Sequence, residues 1–222
     1  MMRNAIVVRP APGGGQTIAR LAALGIPALE FPLFVIAPVA WSPLNETFDA
    51  LLVTSANAMR HGGIGLEALT ALPVVAVGEG SARAARAAGF QVAVTGAADG
   101  REAVEGAHQV GFSRLLHLAG RDRIDLPGVT SMTVYRSDAL YPPPGALEVA
   151  CGQVALLHSP RAARHFAALV DRDAVPRHKV RIAALSEAVA QSVGGGWGTI
   201  GVAPRPDDVV LTALAAKLAI DP

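Results

Sequence analysis

The 222-residue sequence predicts an α/β fold: two similar doubly wound parallel-sheet domains, joined by two β connectors with a cleft between them. Three observations carry that expectation. Short apolar runs alternate with Ala-rich helical stretches, the pattern of parallel strands covered on both faces by helices. A series of strand-to-helix junctions recurs about a hundred residues later. Two β-prone stretches flanked by prolines interrupt the series where a chain would cross between domains.

The expected strands are Ala5–Val8, Leu51–Val53, Val74–Val77, Val92–Val94, Leu115–Leu118, Thr133–Tyr135, Val154–Leu157, Ile182–Leu185 and Ile200–Val202. After the first strand a helix is expected from about Gln16 to Leu24, with Ile18, Leu21 and Ala22 on one stripe and Gly25 as its stop. Ser81–Ala88 ends in the same way at Gly89, and a last helix opens after Asp207 and Asp208, residue types that cap helix N-termini. In the repeat, Leu51–Ala58 resembles Ala155–Ala162 at an offset of 104, the difference between Ser159 and Ser55. Val74–Glu79 aligns with Ile182–Glu187, and Val92–Asp99 with Ile200–Asp207, both at 108. The first strand and helix have no partner beside them and must join a sheet elsewhere. The expected organisation is a discontinuous first domain of residues 1–32 and 143–222, a second of 41–131, and connectors at 33–40 and 132–142.

Composition excludes several classes of function. Hydrophobic residues make up 51% and charged ones 17%, but 43 of the apolar residues are alanine. The longest apolar run, Phe31–Trp41, is interrupted by Pro32 and Pro38 and is far shorter than the ~20 residues of a spanning helix. The opening residues lack the apolar core of a secretory signal, so a cytoplasmic chain with no membrane partner is expected. The single cysteine, Cys151, rules out a disulfide framework or a thiolate metal cluster, and the histidines show no metal-ligand spacing, so no metal is expected. Those histidines read as solvated or capping residues. A net charge of +1 offers no global field for nucleic acid, and any charged partner must meet a local cluster. Of 19 basic residues 17 are arginine, a residue whose fork suits carboxylates and phosphates.

Several motifs admit two readings. Gly13-Gly14-Gly15 stands between a strand and a helix and is either a tight turn or an anion cradle; it lacks the Lys-Ser/Thr of a phosphate loop. Gly78-Glu79-Gly80 is a weak dinucleotide signal, since Arg83 occupies the third glycine position. Ser55, Ser81, Ser159 and Ser186 each stand at a strand's C-terminal end or open the next helix, as caps or as ligands at the edge where open α/β sheets bind. Arg9, Arg121, Arg123, Arg136 and Arg161 fall at strand ends or on a connector, where a polyanion would find them. Tyr135 lies on the second connector, either as interfacial packing or as a proton donor, since a phenol stays protonated at neutral pH.

Taken together, Ile-Val-Val-Arg-Pro at 6–10, Leu-Val-Thr-Ser-Ala-Asn-Ala at 52–58, Val-Ala-Val-Gly-Glu-Gly-Ser-Ala at 75–82, Val-Tyr-Arg at 134–136, His-Ser-Pro-Arg-Ala at 158–162, Ile-Ala-Ala-Leu at 182–185 and Val-Ala-Pro-Arg-Pro-Asp at 202–207 resemble the uroporphyrinogen-III synthase family. The resemblance runs over nearly the whole chain, and its specificity lies in the order and spacing of loose motifs. It implies two α/β domains with the site in the cleft between them, and an enzyme of heme biosynthesis that dehydrates and cyclises hydroxymethylbilane with inversion of the last pyrrole. No cofactor is implied, and a monomer is expected. The linear tetrapyrrole substrate carries eight carboxylates, for which Arg9, Ser55, Asn57, Ser81, Arg121, Arg136, Ser159, Arg161 and Ser186 are the expected contacts. Tyr135 matches the family's tyrosine and is the expected proton donor to the departing hydroxyl. The chain departs from the family at Ser186-Glu187-Ala188-Val189, where many members carry Gly-Pro-Thr-Thr. The alternative reading is a non-catalytic two-domain binder of a small polyanion.

Overall fold

The computed structural model describes residues 2–96 and 99–220. In chain order its strands are β1 (Ala5–Val7), β2 (Ala28–Glu30), β3 (Phe34–Pro38), β4 (Ala50–Val53), β5 (Val74–Val77), β6 (Val92–Gly96), β7 (Leu115–Gly120), β8 (Thr130–Ala139), β9 (Val154–Leu157), β10 (Arg181–Ala184) and β11 (Thr199–Val202). The α-helices are α1 (Gly13–Ala23), α2 (Ala56–His61), α3 (Glu79–Ala87), α4 (Gly100–Gln109), α5 (Pro160–Arg172), α6 (Glu187–Val193) and α7 (Asp208–Ile220). They form two compact units: unit 1 is the chain before Ile36 joined by the chain after Asp138, and unit 2 is Ile36–Asp138.

Unit 1 holds a five-stranded parallel sheet in the order β11-β10-β9-β1-β2. Its central strands β1, β9 and β10 are buried throughout, because both faces are covered. Ile6, Ala155, Leu157 and Ile182 point to a cluster completed by Phe166 of α5 and Val189 of α6. Ala5, Val7, Leu156 and Ala183 point the other way, against Leu21 of α1 and Leu211 and Leu218 of α7. Period-2 alternation of side chains thus buries apolar residues at every position, which is why the strands read as unbroken apolar runs.

The sheet of unit 2 runs β3-β8-β7-β4-β5-β6. Strands β4 to β8 pair in parallel. The edge strand β3 runs antiparallel to β8: backbone hydrogen bonds join Leu140 to Leu33 and Val39 to Val134, so one number falls as the other rises. Leu51, Val53, Leu116 and Val134 pack under α2 and α3, and Ala50, Leu52, Val75 and Leu115 under α4.

The repeat extends to capping chemistry. Ser55 opens α2 by accepting from the Asn57 N–H, and Ser159 opens α5 by accepting from Ala162. Asp99 takes the N–H groups of Arg101 and Glu102, two and three residues on, and Asp207 takes those of Val209 and Val210 in the same pattern. Such caps stabilise a helix by about 1 kcal/mol each.

The first strand does have a counterpart. In unit 2 the strand beside β4 is β7 and the next is β8; in unit 1 the strand beside β9 is β1 and the next is β2. The two units therefore share one strand order but are circular permutants of each other. Unit 2 runs β4 to β8 without a break, whereas unit 1 begins with the pair β1 and β2 and receives β9 to β11 after the excursion. Near the seam the Arg3 N–H donates to the Ala219 carbonyl, 3.0 Å, at the end of α7.

Four helices stop in the same way. After α1, Gly25 adopts φ +73° and the Ile26 N–H reaches back to the Leu21 carbonyl, 2.9 Å. Gly89 with Phe90 and Gly111 with Phe112 repeat this left-handed cap behind α3 and α4. Behind α5 the left-handed position holds Ala174 at φ +52°, with Val175 bonded back to Val170. In each case an apolar residue follows the turn, and Ile26, Phe90 and Val175 are buried, tying the helix end to the core.

No helix among the described residues is long and apolar enough to cross a membrane.

Candidate active site

In unit 1 the helices after β1 and β9 leave on opposite faces of the sheet. Between the C-terminal ends of those two strands a crevice must open, the place where open α/β sheets hold ligands. Here a single carboxylate gathers four chain segments. Asp208, the first residue of α7, has Oδ1 2.7 Å from His158 Nε2, just past β9. Its two oxygens lie 2.9 and 3.1 Å from the Thr17 hydroxyl, and Oδ2 takes a 2.6 Å bond from Arg20, both residues on α1. Arg9, just past β1, completes the group at 3.5 Å. Asp208 thus does not cap its own helix, a task that Asp207 performs; its side chain is 16% exposed and turned into this network.

The charges in the crevice follow from its surroundings. Burial works against charge on Asp208, but the donors His158 and Thr17 and the Arg9 cation outweigh it and hold the carboxyl below its ordinary range. Burial, aided by Arg9, likewise holds the His158 imidazole below its ordinary pKa against the pull of Asp208. The ring is therefore neutral at pH 7, with Nε2–H donating to the carboxylate.

The glycines after β1 seat Arg9. A Cβ on Gly13 would stand 2.7 Å from the Arg9 Cζ, and one on Gly14 would stand 2.6 Å from the Arg9 carbonyl oxygen. The guanidinium lies over the first turn of α1, which begins at Gly13, three residues before the expected start. Farther along the same edge, Ser159 spends its hydroxyl on the cap of α5. Ser186 precedes α6 without capping it by its side chain. Arg161 lies 4.7 Å from the centre of the Phe34 ring, a cation–π contact.

Unit 2 presents a different chemistry at its C-terminal edge. Ser55 caps α2, with Asn57 in the first turn half-buried. Ser81 is buried on the first turn of α3. Gly120 and Tyr135 are partners across β7 and β8, and the phenol ring lies over Gly120: a Cβ there would be 2.8 Å from Cζ and 3.0 Å from the hydroxyl oxygen. Among the described residues no hydrogen bond ties the phenol hydroxyl. Arg121, just past β7, and Arg136, on β8, both bind Asp138, each at 3.0 Å. Arg123 reaches the Thr133 hydroxyl at 2.8 Å.

Beneath this edge lies His117, 2% exposed, with Nε2 2.9 Å from the Thr54 hydroxyl and Nδ1 3.4 Å from Ser131. Burial first, and Arg123 second, press its pKa down to about 4. The expectation of solvated or capping histidines therefore fails for His117 and His158, which sit among buried strands because a hydroxyl or a carboxylate satisfies each ring. Asp208, Thr17, Arg20, Asp138 and Gly120 were also missed as site residues. Thr17 and Asp208 are 191 residues apart, and no local pattern announces their contact. Among the described residues no group of three or more His, Cys, Asp and Glu could hold a metal ion.

These features meet a known family. The sequence matches the family described as HEM4, uroporphyrinogen-III synthase HemD, over residues 15–213. The fold resembles uroporphyrinogen-III synthetase from Helicobacter pylori, with a TM-score of 0.64 at 16% identity over 98% of this chain and 100% of that one. It also resembles a mutant uroporphyrinogen III synthase from the extremely thermophilic bacterium Thermus thermophilus, with a TM-score of 0.53 at 15% identity over 98% of both chains. No curated protein sequence matches the chain. Since the family match spans most of the sequence and nearly all of both sheets, the chain belongs to the uroporphyrinogen-III synthase family of tetrapyrrole-forming lyases.

Proposed function

We propose that this enzyme converts hydroxymethylbilane to uroporphyrinogen III, with Tyr135 as proton donor and the arginines at the strand ends as carboxylate ligands. The family match over residues 15–213 is the observation that carries the reading. In the reaction the carbon–oxygen bond of the terminal hydroxymethyl group breaks, the hydroxyl takes a proton and leaves as water, and the pyrrole nitrogen supplies the electron pair. The substituted α-carbon of the last pyrrole then attacks the electrophilic methylene, and its bond to the preceding methylene breaks. That methylene is re-attached at the free α-carbon of the same pyrrole, which loses a proton, so the ring closes with that pyrrole inverted.

The phenol of Tyr135 suits the first step. No other side chain among the described residues bonds its hydroxyl, so its proton is available to a leaving oxygen. The Gly120 backbone beneath the ring fixes its position. Much of the enzyme's task is to hold a flexible chain so that one closure outruns the other. Arg9, Arg121, Arg136 and Arg161 supply charge for the carboxylates, with Ser55, Asn57, Ser81, Ser159 and Ser186 as polar contacts along the same edges. A cytoplasmic monomer without a nucleic-acid partner belongs to the same proposal, supported by a net charge of +1.

Supplying hydroxymethylbilane in situ and resolving the product isomers tests the reading. The type III isomer should dominate; type I alone, from folded protein, would overturn it.

A further inference from the structure

We propose that Asp208 is a positioning residue for substrate binding: by bridging Arg9 to α1 and to the segment after β9, it holds the Arg9 guanidinium ready for a substrate carboxylate. The inference rests on the reading of Arg9 as a carboxylate ligand and extends it to a residue in the layer behind.

The geometry gives Arg9 a floor and an anchor. Gly13 and Gly14 provide the floor, because a Cβ on either would occupy the space its guanidinium and carbonyl fill. Asp208 provides the anchor at 3.5 Å, and its own position is fixed by Thr17, Arg20 and His158 at 2.6 to 2.9 Å. The Arg9 side chain remains 35% exposed, so the anchored cation still reaches solvent. An arginine side chain has many rotamers to lose, and one ordered before the ligand arrives loses less on binding.

Unit 2 shows that the fold itself does not require this carboxylate. By the offsets of the repeat, Asp208 corresponds to Gly100 and His158 to Thr54. At that place in unit 2 Gly100 has no side chain, and the Thr54 hydroxyl bonds instead to the neutral His117 ring at 2.9 Å, so the segment is held without a carboxylate. Partly buried ion pairs are a costly way to hold three elements together when a neutral hydrogen bond serves in the other unit. A network kept only where the strand-end arginine lies against it is better explained by what it does to that arginine.

The test is a double-mutant cycle of Asp208→Asn and Arg9→Gln, read by steady-state kinetics on hydroxymethylbilane. Asp208→Asn should raise KM about tenfold and leave kcat within about twofold, the mark of lost ground-state binding. Arg9→Gln should raise KM at least as much, and the double variant no further than Arg9→Gln alone. KM losses that multiply, or an unchanged KM in Asp208→Asn, would overturn the proposal. Should Asp208→Asn not fold, Asp208→Glu, which keeps the charge and displaces it, should raise KM about threefold and fail to add to Arg9→Gln. If the wild-type chain makes no type III isomer, the functional reading falls first. The same cycle is then read as equilibrium affinity for uroporphyrin, an eight-carboxylate porphyrin, by fluorescence quenching. Absence of binding, or losses that multiply, would overturn the positioning role there.

Discussion

Gly120 lies directly beneath the ring of Tyr135, with room for a hydrogen and none for a methyl group, since a Cβ would stand 2.8 Å from the phenol carbon Cζ. The neighbour is an aromatic ring packed on the core beside buried Val134, and it cannot retreat without displacing that core. Gly120→Ala should therefore move the phenol and cut kcat at least tenfold, while costing about 1–3 kcal/mol of stability through overpacking. Turnover and urea unfolding of the same preparation check both effects.

Tyr135→Phe separates the hydroxyl from the ring. Because no side chain bonds that hydroxyl among the described residues, its loss should leave stability within about 1 kcal/mol. Turnover should fall by about 10²-fold or more, the usual contribution of a positioned acid. Wild-type kcat in the variant would remove Tyr135 from the chemistry.

His117 makes stability depend on pH. Its folded pKa of about 4 lies below the ordinary 6.5, so the unfolded chain binds the proton first as the solution is acidified. The stabilisation is complete above about pH 6.5 and is lost as pH falls through about 4, in total roughly 3 kcal/mol for this residue. His117→Gln, which keeps a donor and an acceptor for Thr54 and Ser131, should flatten that part of the curve. Unfolding free energies measured from pH 7 to pH 4 in both proteins decide the matter.

Ala174 marks a site of stored backbone strain. It is exposed and holds φ +52° at the end of α5, where α1, α3 and α4 each use glycine. Ala174→Gly should relieve the strain and stabilise the fold by about 1 kcal/mol, offset in part by the greater freedom of glycine when unfolded. A lower melting temperature in Ala174→Gly would show that the turn is not strained.

The sheets were legible in the sequence because strands buried on both faces must be apolar at every position. Val74–Val77 and Val154–Leu157 match the expected strands residue for residue. The repeated caps were visible as Ser55 with Ser159 and Asp99 with Asp207, since a cap is a local event between neighbours in the chain. Strand β2, Ala28–Glu30, was not foreseen: it is three residues long, lies at the edge and is mostly exposed, so no apolar run marks it. The counterpart of β1 was hidden by the permutation: continued beyond β11, a simple repeat would put the equivalent of β7 near the other end of the chain from β1. The placement of residues at strand ends was legible, as with Arg9 just past β1 and Arg121 just past β7. The site was not legible where it depends on contacts between distant segments, as with His158 and Asp208 or Arg121 and Asp138. Polar groups brought together by the fold carry no sequence period.

The permuted strand order also sets a schedule for synthesis. Unit 2 is one continuous stretch, and all its strands are available once β8 has left the ribosome. Strand β1, made before any strand of unit 2, pairs on one side with β2 but has its other side reserved for β9, whose register begins with Ala5 against Val154. At ribosomal rates about 150 residues take on the order of ten seconds, during which a short apolar strand stands with an unpaired edge. Strand β1 is thus a part of the chain in need of protection from premature partners, although in the finished protein it lies inside its sheet, between β9 and β2.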